Sequence, residues 1–260
     1  MHSAFFEPAG ADTFVATPAT AGPWSPDSQH AGPPAALAAR ALEMHERDPG
    51  QRLARVAVDI LRPVPLGKIS LRTRTVRPGK RVALLEVVLE AGGQEVLLAR
   101  GWRMAVADRQ DLATAPGPAP PPIPDEQLLP DYPGAHLTGY MQAIDWRYAS
   151  GGGFDTPGPA QVWTRARIPL VPGEEPTPMC RTLLIADSAN GVSATLDLAR
   201  FLFVNVDLTV VAPRDPAGEW LLLDAATTIG AQGTGLAQSV IHDQHGPCAR
   251  GLQTLLVAPR

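Results

Sequence analysis

Two short strings recur in the same order about 150 residues apart, and this constrains the fold more than anything else in the chain. Val56-Ala57-Val58-Asp59 returns 148 residues later as Val204-Asn205-Val206-Asp207, and Ala99-Arg100-Gly101 returns 150 residues later as Ala249-Arg250-Gly251. In each half the first string opens an apolar run that stops at a proline, Pro63 or Pro213, and the second closes on an apolar tail. A chain of 260 residues holds one large domain or two of roughly 100–130. The recurrence favours two copies of one unit. Such copies bury a shared interface, and a cleft at that interface is a natural place for chemistry.

The bulk properties narrow the class. Hydrophobic residues make up 45% and charged residues 18%, enough apolar material for a substantial core. A net charge of −4 argues against nucleic acid as a main partner, because phosphate binding needs a basic face. Cys180 and Cys248 lie far apart and form neither a disulfide framework nor a metal knot, which fits a reducing compartment. The start, Met1-His2-Ser3-Ala4-Phe5-Phe6-Glu7, has no basic region followed by a long apolar stretch. No apolar run approaches the ~18–20 residues of a membrane span. The expectation is a soluble, cytoplasmic protein with no membrane partner.

Turn signals divide the first half into two short strands within residues 3–17, broken at Pro8-Ala9-Gly10-Ala11-Asp12, then a helix, then four strands. The helix opens at His30-Ala31-Gly32-Pro33-Pro34 and runs through an Ala/Leu-rich stretch to Glu43. Proline suits a first turn, where its missing N–H wastes no hydrogen bond. The small side chains on every face allow a sheet to wrap closely around this helix. The four strands are expected near 53–62, 68–77, 80–91 and 94–106, with hairpins at Pro78-Gly79 and Gly92-Gly93. An antiparallel sheet around one central helix satisfies this order, an α+β class. Residues 107–132 then carry prolines at 116, 118, 120, 121, 122, 124 and 130, the composition of a semi-rigid, extended linker.

The second half, from residue 133, repeats the programme. A strand near 140–148, a flexible Gly151-Gly152-Gly153 and a strand at 160–170 precede a helical segment near 179–198. Strands follow near 201–211, 219–228, 235–242 and 248–257. Gly230-Ala231-Gln232-Gly233-Thr234-Gly235 has the wrong glycine order for a phosphate loop and leads into a strand, so it reads as a hairpin turn.

Taken together, these motifs resemble the double-hotdog acyl-CoA thioesterases. In the first half the resemblance rests on the Gly/Pro-opened small-residue helix, Arg55-Val56-Ala57-Val58-Asp59-Ile60-Leu61-Arg62-Pro63, and Arg77-Pro78-Gly79-Lys80-Arg81. In the second it rests on Ala186-Asp187-Ser188-Ala189-Asn190-Gly191, Phe203-Val204-Asn205-Val206-Asp207, Gly218-Glu219-Trp220 and Gly251-Leu252-Gln253. The resemblance implies a tandem of two hotdogs, residues 1–106 and 133–260, each an antiparallel sheet curled around a helix. It implies an acyl-CoA substrate, a role in fatty acid metabolism, and no metal or organic cofactor. The family holds and activates a water with an Asp on the second-half helix, a Thr on the next strand and a Gln on the last strand. By position these are Asp187, Asn205 and Gln253. Asn205 departs from the pattern, replacing a hydroxyl with a bulkier amide, which leaves the rate of turnover in question.

Each residue also has a bland reading. Asp187 follows the apolar Leu183-Leu184-Ile185-Ala186, and a buried Asp must be paired or have its pKa raised, which suits a general base. Asp-Ser-Ala-Asn-Gly is equally good turn or capping chemistry. Gln253 alternates onto the same face as Leu255 and Val257, where it needs polar partners, unless it lies on an edge strand facing water. Asn205 points away from Val204 and Val206, either to a water or to a neighbouring strand. His30 and Gly32 lie where a helix N-terminus would favour a carbonyl oxygen or oxyanion, or else in a plain loop. Asp59 and Asp207 read as structural, His242 and His245 as flanks of a Gly-Pro turn with no third zinc ligand, and Arg77, Lys80 and Arg81 as a solvated hairpin tip. The expected acyl tunnel lies between sheet and helix layers. A hotdog hydratase would carry a His and an Asp close together on a loop and helix, and no such pair is evident. A binding protein that keeps the thioester cleft without turnover is the reading Asn205 sustains. A homodimer is compatible with the fold, with no specific sequence signal for it.

Overall fold

The computed structural model describes residues 3–114, 117–127, 135–152 and 156–260. The chain opens with β1 (Phe6–Gly10) and β2 (Thr13–Ala16), followed by a small ribbon of β3 (Ala21–Gly22) and β4 (Ser25–Gln29) absent from the sequence reading. Helix α1 (Gly32–Met44) comes next, then β5 (Gln51–Ile60), β6 (Gly67–Arg77), β7 (Val82–Ala91) and β8 (Gln94–Ala105). The hairpin between β7 and β8 turns on Gly92 and Gly93, with φ of 59° and 77°, the paired left-handed conformations that glycine adopts without a Cβ clash.

The second half contains α2 (Tyr140–Ala143), β9 (Ile144–Ser150), β10 (Ala160–Ala166), α3 (Pro178–Ala186), α4 (Ala189–Val192), β11 (Phe201–Asn205) and β12 (Asp207–Val211). It ends with β13 (Leu221–Ile229), β14 (Thr234–Asp243) and β15 (Gly246–Pro259). Three expectations shift here. Residues 140–143 form a helical turn rather than the start of a strand, and β10 stops at Ala166, four residues early. The segment expected as one helix over 179–198 is two, because the chain leaves α3 at Asp187 and the Asp-Ser-Ala-Asn-Gly string makes a turn before α4. Gly230 to Gly235 forms the β13–β14 hairpin turn, as its glycine order suggested.

Thirteen strands join in one sheet in the order β1-β2-β6-β7-β8-β5-β12-β15-β14-β13-β10-β9, with β11 also paired to β15. Every pairing among the described residues is antiparallel. The halves meet where β5 pairs with β12. The register there locates the repeat more accurately than the string match does. Val56 lies opposite Gly101 and Val210 lies opposite Gly251, so the residue that takes Val56's place is Val210, not Val204. Val56 and Val210 are moreover paired with each other, which puts the centre of the repeat between them. Val204 lies on β11, and Asp59 pairs directly with Asp207.

The helices repeat in the same way. A Cβ on Gly101 would lie 3.0 Å from Leu42 of α1 and one on Gly251 would lie 3.9 Å from Ala186 of α3, so each glycine lies beneath its helix at the same place on the sheet. α1 and α3 also touch each other, with Cys180 Sγ 3.4 Å from the Ala36 carbonyl. The small side chains of α1 therefore serve helix–helix as well as helix–sheet packing. Nine of its thirteen residues are buried, including Leu37 and Leu42, each worth about 1.5–3 kcal/mol of apolar burial.

The described part of the Pro-rich segment has no strand and packs on the second half. Trp163 Nε1 donates to the Pro121 carbonyl at 3.1 Å and Arg147 to that of Pro124 at 3.0 Å. Pro116, Pro130 and Gly153, with Met1 and His2, lie outside the described residues. No helix among those described is long and apolar enough to cross a membrane.

Candidate functional site

α3 is held at its start by Thr177, whose hydroxyl accepts from Cys180 N–H at 3.2 Å, and it delivers Asp187 at its far end. Asp187 is 3% exposed. A carboxylate so buried needs donors, and the two facing strands supply them. Asn205 Nδ2 donates to Asp187 Oδ1 at 2.8 Å and also to the Asp207 carbonyl at 3.1 Å. Gln253 Nε2 donates to the Asp187 carbonyl at 3.0 Å and to the same Oδ1 at 3.3 Å. Gln253 Oε1 accepts the Asn190 N–H at 3.2 Å. The three residues picked from the sequence thus meet on one oxygen.

Local backbone explains how they do so. Along β15, Gly251, Gln253 and Leu255 are buried while Leu252, Thr254 and Leu256 are exposed, so Gln253 does share the face of Leu255. Asn205 pairs with Leu255 but Thr209 pairs with Leu252. The extra residue on the β11–β12 side is a bulge at Val206, the device that re-aims a side chain from a strand.

The other oxygen of Asp187 faces α1. His30 Nδ1 lies 3.1 Å from Asp187 Oδ2 and also 3.1 Å from the N–H of Gly32. One ring nitrogen cannot donate to the carboxylate and accept from the amide together, so its proton decides which bond exists. Burial pushes the His30 pKa down against the raising effect of Asp187, which favours the neutral ring. The ring stacks on Tyr140 at 3.8 Å between centroids and 10° between planes. The Tyr140 hydroxyl donates to the Leu184 carbonyl at 2.8 Å and lies 2.9 Å from Ser188 Oγ. Burial pushes the Tyr140 pKa well up, so it stays a donor. Gly32 packs directly against α3, where any Cβ would overlap the Leu184 carbonyl. Tyr140, Ser188 and Asn190 escaped the sequence reading. Ser188 and Asn190 lie inside the Asp187 motif, whereas Tyr140 carries no local signal.

A void of about 30 Å3 adjoins the site, lined by Trp24, His30, Met141, Trp146, Ser188 and Asn190 among others. That is room for a water-sized group. The remaining sequence candidates lie elsewhere. His242 lies near the end of β14 and His245 in the turn to β15, where Asp243 is bound by Arg214 and by the N–H groups of Ala217 and His245. Among the described residues no group of three His, Cys, Asp or Glu is arranged to hold a metal ion. Arg77 donates to the Val82 carbonyl at 2.6 Å within its own hairpin.

Comparison with known proteins gives the class. Residues 20–104 match the acyl-CoA thioesterase N-terminal domain and residues 112–257 the acyl-CoA thioesterase C-terminal domain. The chain belongs to the acyl-CoA thioesterase family. Its fold is that of hotdog proteins: a protein of unknown function with hot dog fold from Alicyclobacillus acidocaldarius superposes with a TM-score of 0.76 at 18% identity, covering 96% of this chain and 95% of the other. The acyl-CoA thioesterase II TesB2 from Mycobacterium marinum gives 0.68 at 17% identity, covering 98% and 95%. The tesB protein from Mycobacterium avium subspecies paratuberculosis gives 0.66 at 16%, covering 98% and 96%. No curated protein sequence matches the chain.

Proposed function

We propose that the chain is a double hotdog, residues 1–106 and 133–260 joined by a linker over 107–132, that hydrolyses an acyl-CoA thioester to the free acid and coenzyme A. The observation that carries this reading is the convergence of Asn205 and Gln253 on Oδ1 of the buried Asp187. Two neutral amides that fix a carboxylate leave it oriented toward a water without neutralising it. Asp187 takes the proton from that water as its oxygen attacks the thioester carbonyl carbon. The carbon–sulfur bond then breaks, the proton held by Asp187 passes to the sulfur so that coenzyme A leaves as the thiol, and the acid remains. His30, neutral at ordinary pH and 3.1 Å from Asp187 Oδ2, and the opening of α1 at Gly32 face the thioester. The acyl group enters past Trp24, Met141 and Trp146, which must part, since the void there is about 30 Å3.

A second reading has its own support. Asp187 Oδ1 is already occupied by two amides and Oδ2 adjoins His30, and Asn205 offers no hydroxyl. This describes a protein that binds acyl thioesters without turning them over.

Free-thiol release from acyl-CoAs ranging from acetyl to palmitoyl, run beside Asp187→Asn, separates the two. Length-selective hydrolysis that falls about 100-fold or more in the variant supports the hydrolase. Saturable acyl-CoA binding with no thiol release from the native chain would overturn it in favour of the binding protein.

A further inference from the structure

The repeat that builds the site around Asp187 also builds a second cleft at the opposite end of the α1–α3 pair. Counterparts can be read from the pairing. Gln51 pairs with Ala105 as Asn205 pairs with Leu255, and Leu53 pairs with Arg103 just before a bulge, as on the β11–β12 side. Gln51 is therefore the first-half counterpart of Asn205, and Arg103 that of Gln253. Along the helices, Leu42 sits over Gly101 as Ala186 sits over Gly251. The next residue, Glu43, is then the counterpart of Asp187.

Glu43, Gln51 and Arg103 line one cleft of about 690 Å3, together with Arg40, Arg47, Arg52, Thr177, Cys180 and several apolar residues. The size is ordinary for a small-molecule site. Its chemistry differs from that of the first. Glu43 Oε2 accepts from the Thr177 hydroxyl at 2.6 Å and lies 3.7 Å from Cys180 Sγ. Burial pushes the Glu43 pKa up, against the bonds from Thr177 and Cys180. Arg103 is 6% exposed and gives Nη1 to the His45 carbonyl at 2.8 Å, much as Gln253 reaches the carbonyl of Asp187, but its buried Nε has no hydrogen-bond partner. A guanidinium so buried and incompletely bonded calls for an acceptor.

Pairing narrows the ligand. Arg40 is bound to Glu174 and Arg52 to Asp215, so the incompletely bonded Arg103, with the nearby Arg47, is what remains in the cleft to receive an anionic acceptor. The carboxyl groups of Glu43, Asp48 and Glu175 around it disfavour a multiply charged phosphate cluster. Met44 and Val106, both more than half exposed, with buried Leu53 and Leu170 provide an apolar wall. We propose that this cleft is a second ligand site, which binds a small amphipathic carboxylate with its charge on Arg103 and Arg47 and its apolar body along Met44, Leu53, Val106 and Leu170. The inference stands apart from the hydrolytic reading, because none of its residues belongs to the Asp187 site.

Calorimetric titration of the full chain with hexanoate and with decanoate tests it. Saturable binding is expected, unchanged in Asp187→Asn. Kd should rise about tenfold in Arg103→Gln and severalfold in Arg47→Ala, the charge-assisted bonds being the ones removed. Arg47 is exposed, so its variant folds even if Arg103→Gln does not, and Arg47→Glu should then abolish binding. The proposal fails if neither acid binds, if Asp187→Asn weakens binding while Arg47→Ala does not, or if coenzyme A alone occupies the cleft.

Discussion

Replacing Gln253 by Leu, a side chain of nearly the same volume, tests whether the amide ties the end of α3 to β15. In the native chain Gln253 is 1% exposed and bonds the Asp187 carbonyl, Asp187 Oδ1 and the Asn190 N–H. Leucine leaves the Asn190 N–H and the Asp187 carbonyl buried with one partner fewer, while Asn205 still serves Oδ1. Each orphaned group costs about 1–3 kcal/mol, and the added apolar burial returns about 1 kcal/mol. The expected net loss is about 2–4 kcal/mol. In urea this lowers the unfolding midpoint by roughly 1 M with little change in slope. The control is Asn205→Ala, half-buried, at about 1 kcal/mol or less. Amide exchange at Asn190 should accelerate in Gln253→Leu and not in the control. Equal midpoints for the two variants, with Asn190 exchange unchanged, would refute the argument.

Asn205→Ala should lower kcat about tenfold with little change in KM, as loss of one orienting donor predicts; an equal rise in KM with kcat preserved would make Asn205 a binding residue instead. Gly32→Val forces a branched side chain against the Leu184 carbonyl and should cost about 2–3 kcal/mol, read as a fall in Tm with α1 and α3 loosened to hydrogen exchange. Acid should act in two stages, followed by denaturant titrations at successive pH values. His30 has a folded pKa below its ordinary 6.5, so its contribution is complete above that value and declines as pH falls through the folded pKa. Asp243 is raised by burial, but the Arg214 bonds and two N–H groups prevail and hold it at about 2, from 3.8. Its share of about 2 kcal/mol is present above pH 3.8 and is lost as pH approaches 2. Asp243→Asn should remove the second stage and leave the first.

Local signals made much of this legible. Pro33-Pro34 marks the start of α1, and Gly92-Gly93 fixes a hairpin because left-handed φ at both positions is nearly glycine's alone. Strand alternation alone puts Gln253 on the face of Leu255, which is buried. What stayed hidden depends on register. The four-residue string at Val56 matches Val204 in letters alone, whereas hydrogen-bond pairing puts Val210 in that place. Nor could alternation reveal the bulge at Val206 that turns Asn205 toward Asp187, since a bulge is a break in alternation. His30 and Tyr140 stack across more than a hundred residues of sequence, a contact that no periodicity encodes.

The two ends of the α1–α3 pair carry different side chains on one scaffold. At one end a short carboxylate, Asp187, stops where α3 ends, and amides from the last strand and the bulge close on it. At the other, Glu43 lies within α1, one residue before its end, and carries an extra methylene. Its reach is toward Thr177 and Cys180 on the partner helix, away from the strand position of Arg103. A guanidinium at that position is longer than the amide of Gln253 and does not bond Glu43 as Gln253 bonds Asp187. Glu43→Asp with Arg103→Gln, which gives this end the residue types of Asp187 and Gln253 and removes the guanidinium, should therefore abolish carboxylate binding there. Hexanoate or decanoate bound by that double variant as tightly as by the native chain would show that these two side chains do not set the difference.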